Sequence, residues 1–172
     1  MICMSLTNNS LAFIALCNEY CATLENCMSA EPRAFIAEML RLLPRIYISA
    51  SDISHSSLDE GYIDPALDED SYETIRRNVA AVIGKDDTYL EVFEEDMKYS
   101  DTPIGASVSE GLADLFQVFY NFLETVRDAP EELADEALGA IREDFATYWA
   151  QILCNVMRPL NSIYYNSTDN DD

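Results

Sequence analysis

The sequence contains few basic residues. It has 10 lysines and arginines against 32 aspartates and glutamates, which gives a formal net charge of −22 over 172 residues. A surface of that sign repels nucleic-acid phosphates and anionic membranes, which argues against direct binding to either one. Nevertheless, 49% of the residues are hydrophobic, more than a disordered acidic chain contains. We therefore expect the charge to lie on a folded body whose partners are basic.

Long hydrophobic runs and signal sequences are also missing. No stretch approaches the roughly 18 apolar residues that a membrane-spanning helix needs, and the first residues have neither the basic nor the long apolar segment of a secretory signal. The five cysteines show no paired spacing. These absences predict a cytoplasmic protein with free thiols that does not associate with membranes.

Histidine and glycine are scarce as well. The single histidine, His55, lies between two serines, and the five glycines are scattered. No zinc-binding set, no Ser-His-acid motif and no glycine-rich phosphate loop is recognisable from them. We therefore assign no catalytic residue and expect no cofactor, with a divalent cation as the one candidate left open.

What the sequence does contain is helical periodicity. Apolar residues recur at steps of three and four along most of the chain, as they do on amphipathic helices, and no segment is predicted to be a strand. The predicted fold is an all-α, single-domain bundle of about five main helices over residues 1–172, with frayed ends at residues 1–8 and 166–172. The helices are expected to cover roughly residues 10–28, 32–47, 70–83, 107–126 and 128–160.

Capping residues and prolines mark the predicted helix ends. In a capping box, a side chain at the helix start and a Glu three residues later satisfy free backbone N–H groups. Such boxes are expected at Asp70/Glu73, Ser107/Glu110 and Asp128/Glu131. Gly84 is expected to end the third helix. Because proline lacks a backbone donor, Pro44 should bend or briefly break its helix before Tyr47, and Pro159 should bend or end the last helix.

The middle of the chain is acidic and loop-rich. Of the 32 acidic residues, 14 lie between Asp59 and Asp101. Serine, aspartate, glycine and proline predict loops over residues 49–70 and 94–106, with a short helical segment from Thr88 to Phe93. This middle segment is either a well-solvated surface or a surface for recognition, and it is where we expect a partner to bind.

Four short segments resemble those of a known family. They are Leu43-Pro44-Arg45-Ile46-Tyr47, Tyr89-Leu90-Glu91-Val92-Phe93, Gly111-Leu112-Ala113-Asp114-Leu115-Phe116 and Phe145-Ala146-Thr147-Tyr148-Trp149. In this order they resemble an uncharacterised bacterial family, a domain of unknown function with small, acidic, all-helical members and a Leu-Pro-x-x-Tyr segment. The resemblance covers about residues 10–165. It implies an all-helical bacterial fold, and it implies no reaction, ligand or catalytic residue.

Asp114 is the carboxylate that the pattern singles out, because it borders the apolar stripe of a predicted helix. An acid at such an edge either accepts a hydrogen bond that ties two helices together or has a shifted pKa in a cleft. Tyr47, Tyr89 and Tyr148 are the candidate donors. Trp149 is expected mainly to pack in the core. The candidate binding residues are Tyr47, Tyr89, Asp114 and Trp149.

Two pairs of acids have the spacing of a metal site. Glu91 with Glu94, and Glu132 with Asp135, are three residues apart and would share a helix face. In metal-dependent nucleotide pyrophosphatases, two such pairs face each other and hold Mg²⁺, which activates water. Among 32 acids such spacings also arise by chance, and a whole predicted helix separates the two pairs.

Two functions remain after these exclusions. The first is a non-catalytic cytoplasmic interaction module whose acidic surface docks on a basic partner protein, a class that includes proteins acting on nucleic acid. The second is a metal-dependent phosphohydrolase that acts on nucleotides through helix-borne carboxylates. The sequence favours the first, and it leaves the oligomeric state and the partner's identity open.

Overall fold

Helices make up most of the protein. The structure, a computed structural model, describes residues 6–54, 61–91 and 104–166. The elements in these ranges are α1 (Asn8–Glu25), α2 (Pro32–Ser51), α3 (Glu69–Ile83), β1 (Thr88–Glu91), β2 (Ile104–Ser107), α4 (Val108–Val126), α5 (Glu131–Asp144) and α6 (Ala150–Asn166). A π-helical turn, Phe145–Trp149, joins α5 and α6 into one helical rod. The predicted bundle of about five main helices is confirmed in the described part of the chain.

The core is built around α4, which contacts α1, α3, α5 and α6. Helices α1 and α4 are antiparallel. Near one end the Phe13 and Phe122 rings have centroids 5.5 Å apart, and near the other the Tyr20 ring meets Phe119 edge-to-face at 5.0 Å. The buried Tyr20 hydroxyl donates a 2.7 Å hydrogen bond to the carbonyl of Leu112. A buried tyrosine needs such a partner for its polar end.

The π-helical turn places the sole tryptophan in the core. Trp149 is fully buried, and its indole nitrogen donates a 3.1 Å hydrogen bond to the carbonyl of Ile141. Its ring lies edge-to-face with Phe145, at a centroid distance of 4.7 Å. The sequence predicts one unbroken helix through this region. Turns of this kind occur as single interruptions of α-helices.

The start of α4 confirms one predicted cap, and the start of α3 corrects another. Ser107 Oγ accepts a 3.1 Å hydrogen bond from the backbone N–H of Glu110. At α3 the cap is Asp68, two residues before the predicted Asp70. Asp68 accepts from both the backbone N–H and the hydroxyl of Ser71, at 2.7 and 3.0 Å.

The predicted cap of the last helix is wrong, whereas the predicted end of α3 is right. Asp128 has a backbone φ of 54°, in the left-handed region, and lies in the turn after α4. The residue that precedes α5 is Pro130, which has no side chain able to accept a hydrogen bond. Gly84 ends α3 with a φ of 73°, a conformation that glycine adopts without steric cost.

Neither internal proline ends its helix. Helix α2 continues through Pro44 to Ser51, and α6 continues through Pro159 to Asn166. Each proline removes one intrahelical hydrogen bond. The neighbouring apolar side chains remain buried in the core on both sides of each proline, and this packing holds the helices together.

Residues 88–91 are a strand, so the predicted short helix from Thr88 to Phe93 is wrong there. Strand β1 pairs antiparallel with β2, with Thr88 opposite Ser107 and Glu91 opposite Ile104. Exposure alternates along β1, and its inward residues are Tyr89 and Glu91. A four-residue strand is too short to show a period of its own, so its sequence alone does not reveal the pairing.

The segment that precedes α3, residues 61–68, is fixed against α4, and we call it the connector. The backbone N–H groups of Ala66 and Leu67 donate to Asn121 Oδ1 at 3.0 and 2.8 Å, and that of Asp64 donates to Thr125 Oγ1 at 2.9 Å. The predicted loop over residues 49–70 is therefore ordered along residues 61–68, and residues 49–51 belong to α2. Residues 55–60, 92–103, 1–5 and 167–172 lie outside the described residues. The predicted loop over residues 94–106 is wrong for residues 104–106, which belong to β2.

The first described residues belong to the fold. Leu6 packs against the core, Thr7 caps α1 by accepting from the backbone N–H of Ser10 at 3.0 Å, and Asn8 is the first residue of the helix. The predicted fraying to residue 8 is therefore wrong for residues 6–8. Among the helices that the structure describes, none combines the length and apolar character needed to cross a membrane.

Candidate functional site: an acidic cleft

A cleft of about 290 Å³ lies where the β1–β2 ribbon covers the first turns of α4 and the middle of α6. We call it the acidic cleft. Its polar lining comprises Tyr89, Glu91, Ser107, Glu110, Asp114 and Asn155. None of the described residues that line it is basic. The described part of the cleft therefore gathers three carboxylates, from a strand and a helix, and no basic residue.

Asp87, just before β1, fixes the ribbon to α4. Its two carboxylate oxygens accept hydrogen bonds from the backbone N–H and the hydroxyl of Ser109, each at 2.7 Å. Ser109 is fully buried. A carboxylate at a helix N-terminus satisfies free N–H groups and interacts favourably with the helix dipole. This contact positions β1, and with it Tyr89 and Glu91, over the cleft.

We expect Asp87→Ala to lower the free energy of unfolding by about 1–3 kcal/mol, because it leaves the buried N–H of Ser109 without its acceptor and the Ser109 hydroxyl with only a 3.3 Å contact to Ser107 Oγ. Urea denaturation followed by circular dichroism measures this loss. Asp86→Ala is the matched control, since it removes the same charge from the exposed neighbour, and should change stability by less than about 0.5 kcal/mol. Equal losses in the two variants would show that the contact with Ser109 contributes nothing.

Tyr89 and Glu91 form the wall of the cleft on the ribbon. The Tyr89 hydroxyl donates a 3.2 Å hydrogen bond to Glu91 Oε2. The two side chains lie on one face of β1 because residues two apart on a strand point the same way. Glu91 is only 8% exposed, which is unusual for an acid. The tyrosine thus holds a nearly buried carboxylate in position.

Asp114 lies opposite, half-buried on α4. The Tyr72 hydroxyl, on α3, donates a 2.6 Å hydrogen bond to Asp114 Oδ1. Burial raises the pKa of Asp114, the hydrogen bond from Tyr72 opposes this change, and repulsion by Glu110 adds to it. Burial and the charge of Asp114 also raise the pKa of Tyr148. The ionised Asp114 is therefore less stable here than in water, and a nearby cation would stabilise it.

The base of the cleft is narrow because α4 and α6 approach closely at Gly111. A Cβ atom added to Gly111 would lie 2.3 Å from Val156 Cγ1. Valine in a helix has one strongly preferred rotamer, so it cannot readily move aside. A glycine at this position therefore sets the distance between the two helices that form the floor.

The structure brings together two of the four predicted binding residues. Tyr89 and Asp114 line the acidic cleft. Trp149 is buried in the core, and Tyr47 on α2 packs edge-to-face on Phe145, with centroids 5.0 Å apart. The sequence predicted a hydrogen bond from a tyrosine that ties Asp114 to a second helix. The bond is present, but its donor is Tyr72 on α3 and none of the three predicted tyrosines.

The predicted metal-binding pairs are not gathered at one place. Glu91 is on β1, beside the start of α4. Glu132 and Asp135 are on α5, beyond the other end of α4. Helix α4 is roughly 28 Å long. Glu94 lies outside the described residues. Across the described ranges, no group of three or more potential ligands could hold a metal ion. Within the described residues, Glu91 is therefore too far from Glu132 and Asp135 to share one ion with them.

Sequence reasoning missed Glu110 as a site residue. Glu110 and Asp114 are four residues apart on α4, and that spacing places both on one helix face. The signal was present in the sequence, but Glu110 was interpreted as half of a capping box. Its partner across the cleft, Glu91, was selected only as a metal ligand.

Comparisons with known proteins agree with this architecture. Residues 4–166 match the sequence model of a family described as a domain of unknown function (DUF5063). A comparison with curated proteins finds no match. Among solved structures, the crystal structure of protein BF1032 from Bacteroides fragilis is similar, with a TM-score of 0.77 and 26% sequence identity. The alignment covers 92% of this chain and 93% of that one. The two proteins share the helical fold.

Proposed function

Since the chain belongs to the DUF5063 family, whose description names no activity, we propose a function from the cleft itself. The protein is a non-catalytic, cytoplasmic interaction module, and its acidic cleft docks a basic side chain of a partner protein. The proposal requires no cofactor. The observation that carries it is the convergence of Glu91, Glu110 and Asp114 in a cleft with no basic lining among the described residues.

The electrostatics of Asp114 support a cationic occupant. Its raised pKa means that the folded protein holds this carboxylate at a cost whenever it is ionised. The position of such a group in a cleft is typical of a site that serves binding rather than stability. An arginine or lysine placed between Asp114 and Glu110 would relieve their mutual repulsion and restore the lost solvation.

The size of the cleft fits one long side chain. A volume of about 290 Å³ is at the lower end of what small-ligand pockets have. A guanidinium or ammonium group on its flexible stem would reach the carboxylates while the rest of the partner stays outside. The net charge of −22 would then attract the basic surface of the partner and speed its encounter with the cleft.

The partner class that fits this surface is a protein that itself binds nucleic acid. Such proteins present arginine and lysine side chains spaced to meet phosphates. A surface of carboxylates offers them the same sign of charge. Association would be fast and sensitive to salt, because long-range attraction between opposite charges is screened by ions.

Affinity capture from a cell lysate tests this proposal. The baits are the wild-type protein and two variants whose charges match each other, Asp114→Asn and Asp52→Asn; Asp52 is exposed at the end of α2. We expect the wild type and Asp52→Asn to retain the same basic proteins at low salt and to release them at high salt. The Asp114→Asn bait should retain several-fold less of them.

Two results would contradict the proposal. Equal capture by the two variants would mean that the cleft does not contribute to docking. Calorimetric binding of Mg²⁺ or Mn²⁺ below millimolar concentration, abolished by Glu91→Gln, would instead favour the phosphohydrolase that the sequence left as the alternative.

A further inference from the structure

A second cavity lies on another side of α4, away from the acidic cleft. It has a volume of about 340 Å³ and is formed by the end of α1, the connector, α3 and the middle of α4. Its apolar walls are Leu67, Ile75, Phe116 and Tyr120. The Phe116 and Tyr120 rings are stacked, with centroids 5.7 Å apart and planes inclined by 22°. We call it the aromatic pocket.

The wall formed by Leu67 is held in place. The connector donates two backbone hydrogen bonds to Asn121 Oδ1, one of them from the N–H of Leu67 itself at 2.8 Å. Asn121 follows Tyr120 on α4, so one helix carries both the floor of the pocket and the anchor of its wall. The pocket is therefore fixed on the folded protein before any ligand arrives, which lowers the entropy cost of binding.

Among the described residues that line the aromatic pocket, the charged ones are two acids. Glu25 is the last residue of α1, and Asp70 lies in the first turn of α3. Within the described ranges, neither carboxylate has a side-chain hydrogen bond or an ion pair. By contrast, the lining hydroxyls of Ser71 and Thr74 are already bonded, to Asp68 Oδ2 and to the carbonyl of Asp70.

We propose that the aromatic pocket binds a small organic ammonium ion with an aromatic body. The ring of the ligand packs against Ile75, Leu67 and the stacked pair, and its ammonium group lies between Glu25 and Asp70. Tyrosine and phenylalanine faces also attract cations. A small molecule fits better than a protein surface, because 340 Å³ is in the range of small-ligand pockets, while protein interfaces extend over a far larger area.

Three indole probes with different charges test the proposal. They are tryptamine, a cation; tryptophol, its neutral analogue; and indole-3-propionate, an anion. Chemical-shift titration should give tryptamine a dissociation constant of about 1 mM, as expected for a ligand of its size. Tryptophol should bind about fivefold more weakly, because it lacks the charge that the carboxylates stabilise. Indole-3-propionate should show no saturation up to about 20 mM.

Variants assign the binding to this pocket. Asp70→Asn should weaken tryptamine about fivefold and leave tryptophol unchanged, whereas Tyr120→Ala should weaken both. Asp114→Asn, in the acidic cleft, should leave the affinity for tryptamine unchanged. Circular dichroism checks that Tyr120→Ala is folded, and the exposed Asp70 provides a variant that does not disturb the core.

Any of three results would overturn the proposal. They are equal affinities for tryptamine and tryptophol, no saturation by tryptamine up to about 20 mM, and a loss in Asp114→Asn as large as that in Asp70→Asn. The last result would place the amine in the acidic cleft. The proposed docking function does not depend on the outcome, since its test uses basic partner proteins.

Discussion

Replacing Trp149 with alanine will lower the free energy of unfolding by about 3–5 kcal/mol. The indole ring is fully buried and packs edge-to-face with Phe119 and Phe145, at centroid distances of 5.1 and 4.7 Å. The substitution removes this packing and leaves the carbonyl of Ile141 without its indole donor. Since folded domains are stable by only about 5–15 kcal/mol, the loss is a large share of the total.

Two further variants separate packing from hydrogen bonding at this position. Trp149→Phe keeps much of the apolar contact and loses the N–H donor, so it should cost less than Trp149→Ala. Tyr148→Ala, at the exposed neighbouring position, should cost least of the three. Urea denaturation must be followed by circular dichroism, because Trp149 is the only tryptophan. A loss below about 1 kcal/mol in Trp149→Ala would contradict the role of this ring in the core.

Asp114→Asn will weaken the binding of a basic peptide about 10- to 100-fold. A half-buried carboxylate that accepts a hydrogen bond from a guanidinium contributes about 1.5–3 kcal/mol. The probe is a blocked hexapeptide of alternating glycine and arginine, and the matched uncharged probe carries citrulline in place of arginine. Isothermal calorimetry at low salt measures both.

The control for this prediction is Asp52→Asn, which removes the same single negative charge at a distant site. Asp52 follows α2, whose end is joined to the start of α1 by a 3.0 Å hydrogen bond from Asn9 to the carbonyl of Ser49. The cleft lies at the other end of α1. The affinity of Asp52→Asn should stay within about twofold of the wild type. Similar losses in both variants would mean that the peptide binds to the charged surface in general.

The Asp114→Asn substitution should make the protein slightly more stable at neutral pH. Because burial raises the pKa of Asp114 in the folded state, ionisation of this group destabilises folding as the pH rises through the unfolded and folded pKa values. Asparagine carries no charge and can still accept from Tyr72. The stability difference between Asp114→Asn and the wild type should therefore vanish at a pH below the unfolded pKa. A loss of binding with a gain of stability is the pattern expected of a functional residue.

The sequence was informative where the cause of a structure is local. The cap formed by Ser107 depends on residues three apart, and the burial of Trp149 depends on apolar neighbours at helical spacing, so both were predictable. The helices continue through Pro44 and Pro159, because a single lost hydrogen bond weighs less than the core packing around each proline.

The sequence was uninformative where distant segments meet. Strand β1 exists only in its pairing with β2, thirteen residues later, and neither strand is long enough to show alternation. The donor to Asp114 lies 42 residues away on α3. Only the packing of α3 on α4 selects Tyr72 from the ten tyrosines. Each carboxylate of the cleft can be found in the sequence, but only the pairing of β1 with β2 shows that the three lie close together.

The pKa of the Asp114 carboxyl group, measured with and without the basic peptide, tests the docking site most directly. Carbon-detected magnetic resonance follows the Asp114 side chain through a pH titration of the free protein and of the saturated complex. In the free protein we expect a pKa above the usual value of about 3.9, since burial raises it. In the complex the arginine should lower it, because a nearby cation favours the ionised form. A pKa of Asp114 that is the same in the free and saturated protein would show that the cation does not enter the cleft.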